Sequence, residues 1–385
     1  YNVQSIIEKC ILEYNEEKPS KNTAVVVADP SNGEILGMAS YPTFNLNDPR
    51  KLTGMYTDEE IKDMSDEEYR NNLYSLWTNY CVSESYEPGS TFKPVTVASA
   101  LEEGVVKDGD TYVCKGFETV ADYKLKCHVF STIGSHGSLT VEQALMNSCN
   151  PYMIHLALEM GNSRFAYYQS LFGFGKITGI DLPGETTGIV YGDRMTTIDA
   201  ACNSFGQTIN VNMMQMMAAY CSIINGGMLY QPHIVKRIES ANGEVVKEYK
   251  ANLVRQTITA STSKLLRRYL KNTVEEGTAK KAGVTGYSVA GKTGTAQKGD
   301  RKDNKWIISF IGHAPAENPK FAIYVVIDEP YGTTGTSGSS ADVLTLTHNI
   351  LEKLLPYMNV YKDASDEYED TSSSPDELTV DGIPA

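Results

Sequence analysis

Residues 23–42 read TAVVVADPSNGEILGMASYP, and this stretch decides the fold. Three consecutive β-branched residues, Val25 to Val27, favour an extended strand, and the apolar residues of 35–39 favour a second one. The segment between them, 29–33, reads Asp-Pro-Ser-Asn-Gly, which is typical of a tight turn. The stretch therefore predicts an antiparallel hairpin near the start of the chain.

The remaining strands are predicted far from this hairpin, in the last third of the chain. Segments 287–297, 305–314 and 321–330 are rich in β-branched and aromatic residues, and a turn at 315–319 joins the last two. The pattern indicates antiparallel sheet. We expect the early hairpin to join these late strands.

Helical patterns occupy most of the sequence between the two groups of strands. Helices are predicted at the start of the chain and at about 58–70, 90–103, 210–227, 265–277 and 340–357, with a pair broken near 148–150, whereas 105–138 is predicted to be loop-rich. Strands at both ends with helices between them predict a mixed α/β (α+β) fold. Its centre would be one antiparallel five-stranded sheet flanked by helices, with an inserted all-helical subdomain.

Composition argues against several classes of function. The 385 residues are 41% hydrophobic and 21% charged, which suits a globular protein of one large or two smaller domains. A net charge of −14 argues against nucleic acid or anionic lipid as a main partner. No apolar run approaches the ~20 residues that cross a bilayer, and no signal peptide is visible. Because the sequence opens in mid-helix without Met, we expect a piece of a longer protein. The seven cysteines are an odd number, too few for a disulfide scaffold.

Three short polar motifs stand out at widely separated positions. They are Ser90-x-x-Lys93 within GSTFKP (89–94), Ser148-Cys149-Asn150, and Lys292-Thr293-Gly294 on a predicted strand. Each alone has an ordinary structural interpretation: an N-cap at Ser90, a helix break, and a strand end. Together, in this order, they are typical of penicillin-interacting serine enzymes.

The residue types suit nucleophilic catalysis at Ser90. A serine hydroxyl is a poor nucleophile at neutral pH and needs an adjacent base. Positions i and i+3 share one face of a helix, so Lys93 is predicted to reach Ser90, with burial and the second cation of Lys292 lowering its pKa. Backbone N–H groups at the helix start, with a second N–H from the strand that carries Lys292 to Thr295, are predicted to bind a developing oxyanion. Gly294 suits a strand edge that a substrate backbone approaches closely.

Longer segments of the chain resemble one family. AVVVADPSNGEILGMASYPTFNLNDPR (24–50), YEPGSTFKP (86–94), SCNPYM (148–153), GIDLPGE (179–185), NGGMLYQPHIV (225–235), VAGKTGTAQ (289–297) and WIISFIGHAPAENPKFAIYVVIDEP (306–330) are similar to segments of class B penicillin-binding proteins, more narrowly of the division- and sporulation-associated branch. The resemblance covers roughly residues 1–357 and implies the penicillin-binding transpeptidase, or serine β-lactamase-like, fold. It implies a transpeptidase domain at 1–360, before an acidic, Ser-rich tail at 361–385 that we predict to be disordered.

The resemblance implies a D,D-transpeptidase that cross-links peptidoglycan and is inhibited by β-lactams. Ser90 would attack the D-Ala-D-Ala carbonyl of a donor stem peptide, with Lys93 as the base. The amine of a second stem peptide would then resolve the acyl-enzyme. Ser148 and Asn150 would relay protons and hold the substrate amide.

The same resemblance implies how the substrate is held and where the protein works. Lys292 and Thr293 would bind the substrate carboxylate, and the N–H groups of Thr295 and Ser90 would form the oxyanion hole. No cofactor is required for this chemistry. The expected partners are stem peptides, β-lactams, and a glycosyltransferase within a division or sporulation complex. An N-terminal anchor, absent from this sequence, would hold the domain at the extracytoplasmic face of the membrane.

One segment departs from the family pattern. The family often has a Trp after a Cys before the Ser-x-Asn motif, whereas residues 112–130 read YVCKGFETVADYKLKCHVF, with His128 in that place. Ligand types that suit Zn²⁺ lie in and after this segment: Cys114, Asp122, Cys127 and His128, with His136 as an alternative. Two alternatives stay open: a disulfide between Cys114 and Cys127, or two free thiols at these positions. We hypothesise that a structural zinc ion would brace the loop of the second motif.

Two other functions remain open at this point. A serine β-lactamase needs a base for fast deacylation, and the sequence has no Glu-x-x-Leu-Asn segment to supply it. A β-lactam-binding sensor or a structural pseudoenzyme is the other alternative, although intact motifs argue against an inactive site. A labelled penicillin distinguishes these functions by the lifetime of its adduct.

Overall fold

The structure, a computed structural model, describes residues 2–52, 55–299, 305–330 and 340–363. The helices in these ranges are α1 (Asn2–Glu17), α2 (Asp58–Asp63), α3 (Asp66–Trp77), α4 (Tyr80–Ser83), α5 (Lys93–Glu103), α6 (Val141–Met146), α7 (Asn150–Met160), α8 (Asn162–Leu171), α9 (Thr197–Asn203), α10 (Met213–Ile224), α11 (Ala260–Glu275) and α12 (Ser340–Tyr357). Among the described residues, no helix combines the length and apolar character that crossing a membrane requires. The tail predicted at 361–385 lies outside the described residues from 364 onward, so its disorder stays a prediction.

The first two and the last three described strands form one large sheet, and those between them form two-stranded sheets. They are β1 (Ser20–Ala28), β2 (Ile35–Tyr41), β3 (Thr111–Cys114), β4 (Phe117–Val120), β5 (Tyr123–Lys126), β6 (Gly137–Thr140), β7 (Met228–Tyr230), β8 (Arg237–Glu239), β9 (Val245–Glu248), β10 (Leu253–Gln256), β11 (Ala290–Lys298), β12 (Lys305–Ala314) and β13 (Phe321–Pro330). The large sheet has five strands in the order β11-β12-β13-β1-β2, and every neighbouring pair is antiparallel. Val25 of the early hairpin lies opposite Val325 on one side and Ala39 on the other. The predicted fold class is confirmed.

The sheet separates two apolar cores because its central strands are buried on both faces. On β1, Ala24 and Val26 face the core shared with α5 and α10, while Val25 and Val27 face the core shared with α1 and α12. Every residue of α10 is buried, so this Met-rich helix lies at the centre of the larger core. Burial on both faces explains why residues 24–28 of β1 and 321–327 of β13 are continuous apolar runs.

The region between β2 and β11 is the predicted helical insertion, but it also contains strands β3 to β10 and is not all-helical. Residues 58–70 form two helices, because Ser65 caps α3 by accepting a hydrogen bond from the Glu68 N–H. Residues 105–138 contain three four-residue strands, and β6 begins at Gly137, so the insertion is not entirely helical. In strands this short, the two-residue periodicity that predicts a strand does not stand out.

Candidate active site

Ser90 lies in a 3₁₀ turn, Gly89–Phe92, that continues directly into α5. Pro94 lies in the first turn of α5, where a missing N–H is tolerated. No side chain caps either segment, so the predicted N-cap role of Ser90 is wrong. The reason is that the turn runs on without a break, and the Lys93 N–H donates to the Ser90 carbonyl oxygen. The Ser90 hydroxyl is therefore not engaged in capping.

The 89–92 turn packs tightly against the edge strand β11. A Cβ on Gly294 would lie 2.9 Å from both Pro88 O and Thr91 Cγ2, so a larger residue does not fit there without displacement. A Cβ on Gly89 would lie 2.6 Å from Thr295 O. From the sequence, a substrate backbone was expected to make the close approach at Gly294. In the structure, the turn that carries the serine makes this approach.

Buried hydroxyl groups support the turn from the side of the sheet. Thr91 Oγ1 donates to Pro88 O at 2.8 Å and lies 3.5 Å from Tyr324 OH. Tyr324 is fully buried in β13 and accepts a hydrogen bond of 2.8 Å from Tyr86 OH. Because buried hydroxyls are stable only when they are paired, this network favours one position of the turn.

Ser148 lies at the break between α6 and α7 that the sequence predicted. Its φ of 53° is left-handed, an uncommon conformation for serine that often marks a functional position. The Cys149 N–H donates to Ala144 O at 2.8 Å, which folds the break back onto α6. This arrangement directs the Ser148 hydroxyl toward Ser90, and the two Oγ atoms are 3.0 Å apart.

Lys93 is fully buried and bonds to the Ser148 segment. Its Nζ lies 2.5 Å from Ser148 O, 3.0 Å from Ser148 Oγ and 2.7 Å from Asn150 Oδ1. Burial lowers the pKa of Lys93 to about 8. The sequence predicted a direct reach from Lys93 to Ser90, whereas the hydrogen bonds of the structure connect them through the Ser148 hydroxyl.

Lys292 approaches the same hydroxyl from β11. Its Nζ donates to Ser148 Oγ at 3.1 Å and to Thr293 O at 3.2 Å, and the side chain is fully buried. Burial, and then the charge of Lys93, lower the pKa of Lys292 well below its ordinary range. The two lysines are therefore neighbours as predicted. The pKa of Lys93, however, is lowered by burial. The repulsion between the two lysine charges lowers the pKa of Lys292 instead.

The other residues of the third motif line the open edge of the sheet. Thr293 is buried, with its Oγ1 3.5 Å from Lys292 Nζ, whereas Thr295 is exposed. Among the described strands, β11 pairs with β12 alone and so forms an edge of the large sheet, the kind of edge to which an extended ligand can add. The structure thus brings the residues of all three predicted motifs into one region.

A cluster of sulfur and imidazole groups lies directly beside the Ser148 break. Cys114, Cys127, His136 and Cys149 place their ligand atoms within 4.8 Å of one another. The three cysteines are buried free thiols, so the alternative of a Cys114–Cys127 disulfide is not present in the structure.

The ligand set predicted from the sequence needs correction. Asp122 is exposed between β4 and β5 and does not belong to the cluster, and His128 is exposed, although its Nδ1 lies 3.8 Å from Cys127 Sγ. His136 is the histidine of the cluster, and its Nδ1 lies 3.6 Å from Cys127 Sγ. Cys149, interpreted from sequence as a small buried side chain, was missed. Its only available signal was its position inside a catalytic motif.

Hydrogen bonding distinguishes the thiols of this cluster. A hydrogen bond from Cys149, joined by contacts with His128 and His136, lowers the pKa of the Cys127 thiol. The same pairing, together with burial, raises the pKa of Cys149. Cys127 is therefore the thiol of this pair that is more readily ionised, as a metal ligand or a charged hydrogen-bond acceptor must be.

A family model, curated relatives and solved structures were each compared with the chain, and their results agree with one another. The model of the family described as "penicillin binding protein transpeptidase domain" matches residues 23–352. The chain is 39% identical over 365 residues to stage V sporulation protein D of Bacillus subtilis (strain 168), covering 93% of this chain and 53% of that protein. It is 30% identical over 351 residues to the peptidoglycan D,D-transpeptidase FtsI of Escherichia coli (strain K12), covering 90% and 53%.

A solved structure extends the likeness to three dimensions. Penicillin-binding protein 3 of Mycobacterium tuberculosis, complexed with aztreonam, matches with a TM-score of 0.79 and 27% identity, covering 95% of this chain and 79% of that chain. The chain spans about half the length of the curated relatives that it matches.

Proposed function

The chain belongs to the transpeptidase family of penicillin-binding proteins, in class B, and on that premise we propose that it is a serine D,D-transpeptidase of peptidoglycan. Ser90 Oγ attacks the carbonyl carbon between the two D-Ala residues of a donor stem peptide. The terminal D-Ala leaves, and the amine of an acceptor stem peptide then attacks the acyl-enzyme. This second step forms the cross-link and frees Ser90. The acyl transfer uses only groups of the chain itself and needs no cofactor.

The observation that carries this proposal is the position of the Ser148 hydroxyl. A hydroxyl has one hydrogen and two lone pairs, and Ser148 Oγ lies within hydrogen-bond distance of Ser90 Oγ, Lys93 Nζ and Lys292 Nζ. As Ser90 attacks, its proton passes to Ser148 while the Ser148 proton passes to neutral Lys93. The reverse path delivers a proton to the leaving amine. A pKa near 8 suits Lys93 for both steps.

Backbone and side-chain donors complete the proposed site. The N–H groups of Ser90 and Thr295 stabilise the oxyanion, since the 89–92 turn and the edge of β11 are in contact. Asn150 holds the substrate amide, and Thr293 with Lys292 binds the substrate carboxylate. Gly294 keeps the turn and the strand close. A bound carboxylate raises the pKa of Lys292 again, because an opposite charge favours the protonated amine.

Mass spectrometry of the intact protein after exposure to a β-lactam tests this proposal. We expect a long-lived adduct on Ser90 that is absent in Ser90→Ala and present in Ser138→Ala, where an exposed serine of β6 is removed. Transfer of a D-Ala-D-Ala peptide to an added amine must follow in the same samples. Rapid loss of the adduct would support a β-lactamase instead, and an adduct without peptide transfer would support a β-lactam-binding sensor.

We further propose that Cys114, Cys127, His136 and Cys149 bind a structural Zn²⁺ ion. Zinc prefers four sulfur or nitrogen ligands in a tetrahedron, in which ligand atoms about 2.3 Å from the metal lie about 3.8 Å apart. The four ligand atoms of the cluster, within 4.8 Å of one another, need only a small contraction to reach this geometry. Elemental analysis of the purified protein is expected to find stoichiometric zinc. A metal-free protein with three titratable thiols would contradict the proposal.

The domain boundary and the location of the protein follow from the proposed substrate. We propose that residues 1–360 form the transpeptidase domain, and that it works at the extracytoplasmic face of the membrane, held there by an N-terminal anchor outside this sequence. Stem peptides are made available at that face by a glycosyltransferase, which is the expected partner in a division or sporulation complex. Limited proteolysis tests the boundary, and fractionation with co-purification of the full-length protein from cells tests location and partner.

A further inference from the structure

Thr278 is an exposed residue beside the site that none of the three motifs contains. It follows Gly277 just beyond α11, and its backbone N–H donates to Met146 O at 3.3 Å. A Cβ on Gly277 would lie 2.9 Å from the same oxygen and 2.8 Å from Thr273 O, so close packing determines where Thr278 lies. Met146 ends α6, just before the Ser148 break. Thr278 is therefore held firmly against the loop that carries Ser148.

The hydroxyl of Thr278 lies close to that of Thr293. Their Oγ1 atoms are 3.5 Å apart, and Thr293 Oγ1 is also 3.5 Å from Lys292 Nζ. Thr293 is buried whereas Thr278 is exposed, so Thr278 lies on the solvent side of this group. Within the described parts of the chain, none of these three groups is hydrogen-bonded to a carboxylate. Three hydrogen-bond donors are thus gathered in one place without an anionic acceptor.

We propose that Thr278 is a specificity-determining residue that donates its hydroxyl hydrogen to the substrate carboxylate, alongside Thr293. This inference rests on the proposed transpeptidase function and adds a residue to its carboxylate site. The carboxylate is that of the terminal D-Ala of a stem peptide, or the equivalent group of a β-lactam.

To bind the carboxylate, the Thr278 hydroxyl must give up its present hydrogen bond to Met146 O, and this exchange of acceptors is favourable. In the structure Thr278 Oγ1 donates to Met146 O at 3.2 Å, which is long for an O–H donor. A carboxylate oxygen accepts shorter and stronger hydrogen bonds than a neutral carbonyl oxygen. The Met146 oxygen keeps its bond from the Thr278 N–H when the hydroxyl turns to the ligand. No buried acceptor is left without a partner.

Two probes and three variants test the proposal. The probes are a penicillin with a free carboxylate and the methyl ester of the same penicillin, and the second-order rate constant of Ser90 acylation is measured for each by intact mass. Thr278→Val removes the hydroxyl and keeps the shape, Thr278→Ala removes it with less demand on packing, and Thr278→Ser retains it. Thr345→Val is the matched control, because exposed Thr345 also donates to a backbone carbonyl, Ala341 O at 2.9 Å, but on α12.

The expected result is a selective loss. Thr278→Val and Thr278→Ala lower the acylation constant of the free acid by about tenfold, the usual effect of one hydrogen bond to a charged group, and leave that of the ester unchanged. Thr278→Ser and Thr345→Val match the wild type with both probes. Equal losses with both probes would overturn the inference in favour of a structural role, and so would the absence of any loss with the free acid. A wild-type protein that acquires no Ser90 adduct would instead overturn the transpeptidase proposal itself.

Discussion

Lys93 Nζ lies 3.0 Å from the hydroxyl oxygen of Ser148, a residue 55 positions further along the chain. The same hydroxyl is 3.0 Å from Ser90 Oγ, so Ser148 stands between the proposed base and the proposed nucleophile. Local spacing in Ser-x-x-Lys suggested a direct contact within one helical turn. These distances support the proposed relay through Ser148, the role that the family resemblance implied, in which each proton transfer crosses a single hydrogen bond.

Replacing Ser148 by alanine tests this relay. Ser148→Ala removes the hydroxyl while Lys93 keeps its bonds to the residue-148 carbonyl oxygen and to Asn150 Oδ1. Because positioned proton transfer commonly contributes a factor of 10² or more, we expect Ser90 acylation by a β-lactam to slow by about a hundredfold. Stopped-flow fluorescence with a labelled penicillin measures the rate, and Ser138→Ala controls for loss of a serine elsewhere. An unchanged rate in Ser148→Ala would show that Lys93 acts on Ser90 without the relay.

The pH dependence of acylation follows from the lowered pKa of Lys93. Burial lowers that pKa to about 8, and only the neutral amine accepts a proton. Below pH 8 the neutral fraction falls about tenfold per pH unit, so the acylation rate should rise with pH and level off above about 8. Lys93→Arg should abolish this rise of the rate with pH, since arginine stays protonated. A rate that is flat from pH 6 to pH 9 would contradict Lys93 as the base.

Gly294 tests the contact between the serine turn and β11. In Gly294→Ala the new Cβ would lie 2.5 Å from Ser309 Oγ and 2.9 Å from Pro88 O, so the turn and the strand must separate. We expect acylation to fall by about a hundredfold, because small displacements of reacting groups have effects of this size. The added substitution Ser309→Ala removes the closest contact and should restore part of the activity. Full activity in Gly294→Ala would mean that the spacing of turn and strand does not matter.

The sheet and the three motifs could be predicted because local patterns carry them. The valines of 25–27 and the apolar segments of 305–314 and 321–330 are strand-forming wherever they pair, and burial on both faces makes the pattern strong. The catalytic side chains occur in short runs with recognisable order. Strands of only four residues, such as β3 and β4, are too short to carry a comparable pattern.

The contacts that organise the site could not be predicted, because they depend on tertiary packing. The left-handed φ of Ser148 directs its hydroxyl at Ser90, and the conformational preferences of serine do not predict this φ. Thr278 reaches Thr293 only because α11 ends against α6. Cys149 joins Cys127 through the fold of the loop and not through any spacing along the chain. The sequence therefore named Cys114, Cys127 and, as an alternative, His136, but not the Cys149 that completes the cluster.

Cys149 links the proposed zinc site to the proposed catalytic site, and its substitution tests both together. Cys149→Ser keeps the size of a side chain that lies between Ser148 and Asn150 but replaces a zinc ligand by a much weaker one. We expect zinc to fall from about one ion per chain to a small fraction, with a lower melting temperature, because a structural metal contributes directly to folding. Acylation of Ser90 should slow as well, since the loop loses its brace.

The control for this experiment is Cys81→Ser. Cys81 is also a fully buried free thiol, but it lies in α4, outside the cluster, so its variant reports the cost of burying a hydroxyl in place of a thiol. Elemental analysis should find less zinc in Cys149→Ser than in Cys81→Ser. Calorimetry should find a different melting temperature for the two variants. A chelator should lower the melting temperature of the wild type and leave that of Cys149→Ser unchanged. Identical zinc contents and identical responses to the chelator in both variants would remove Cys149 from the ligand set.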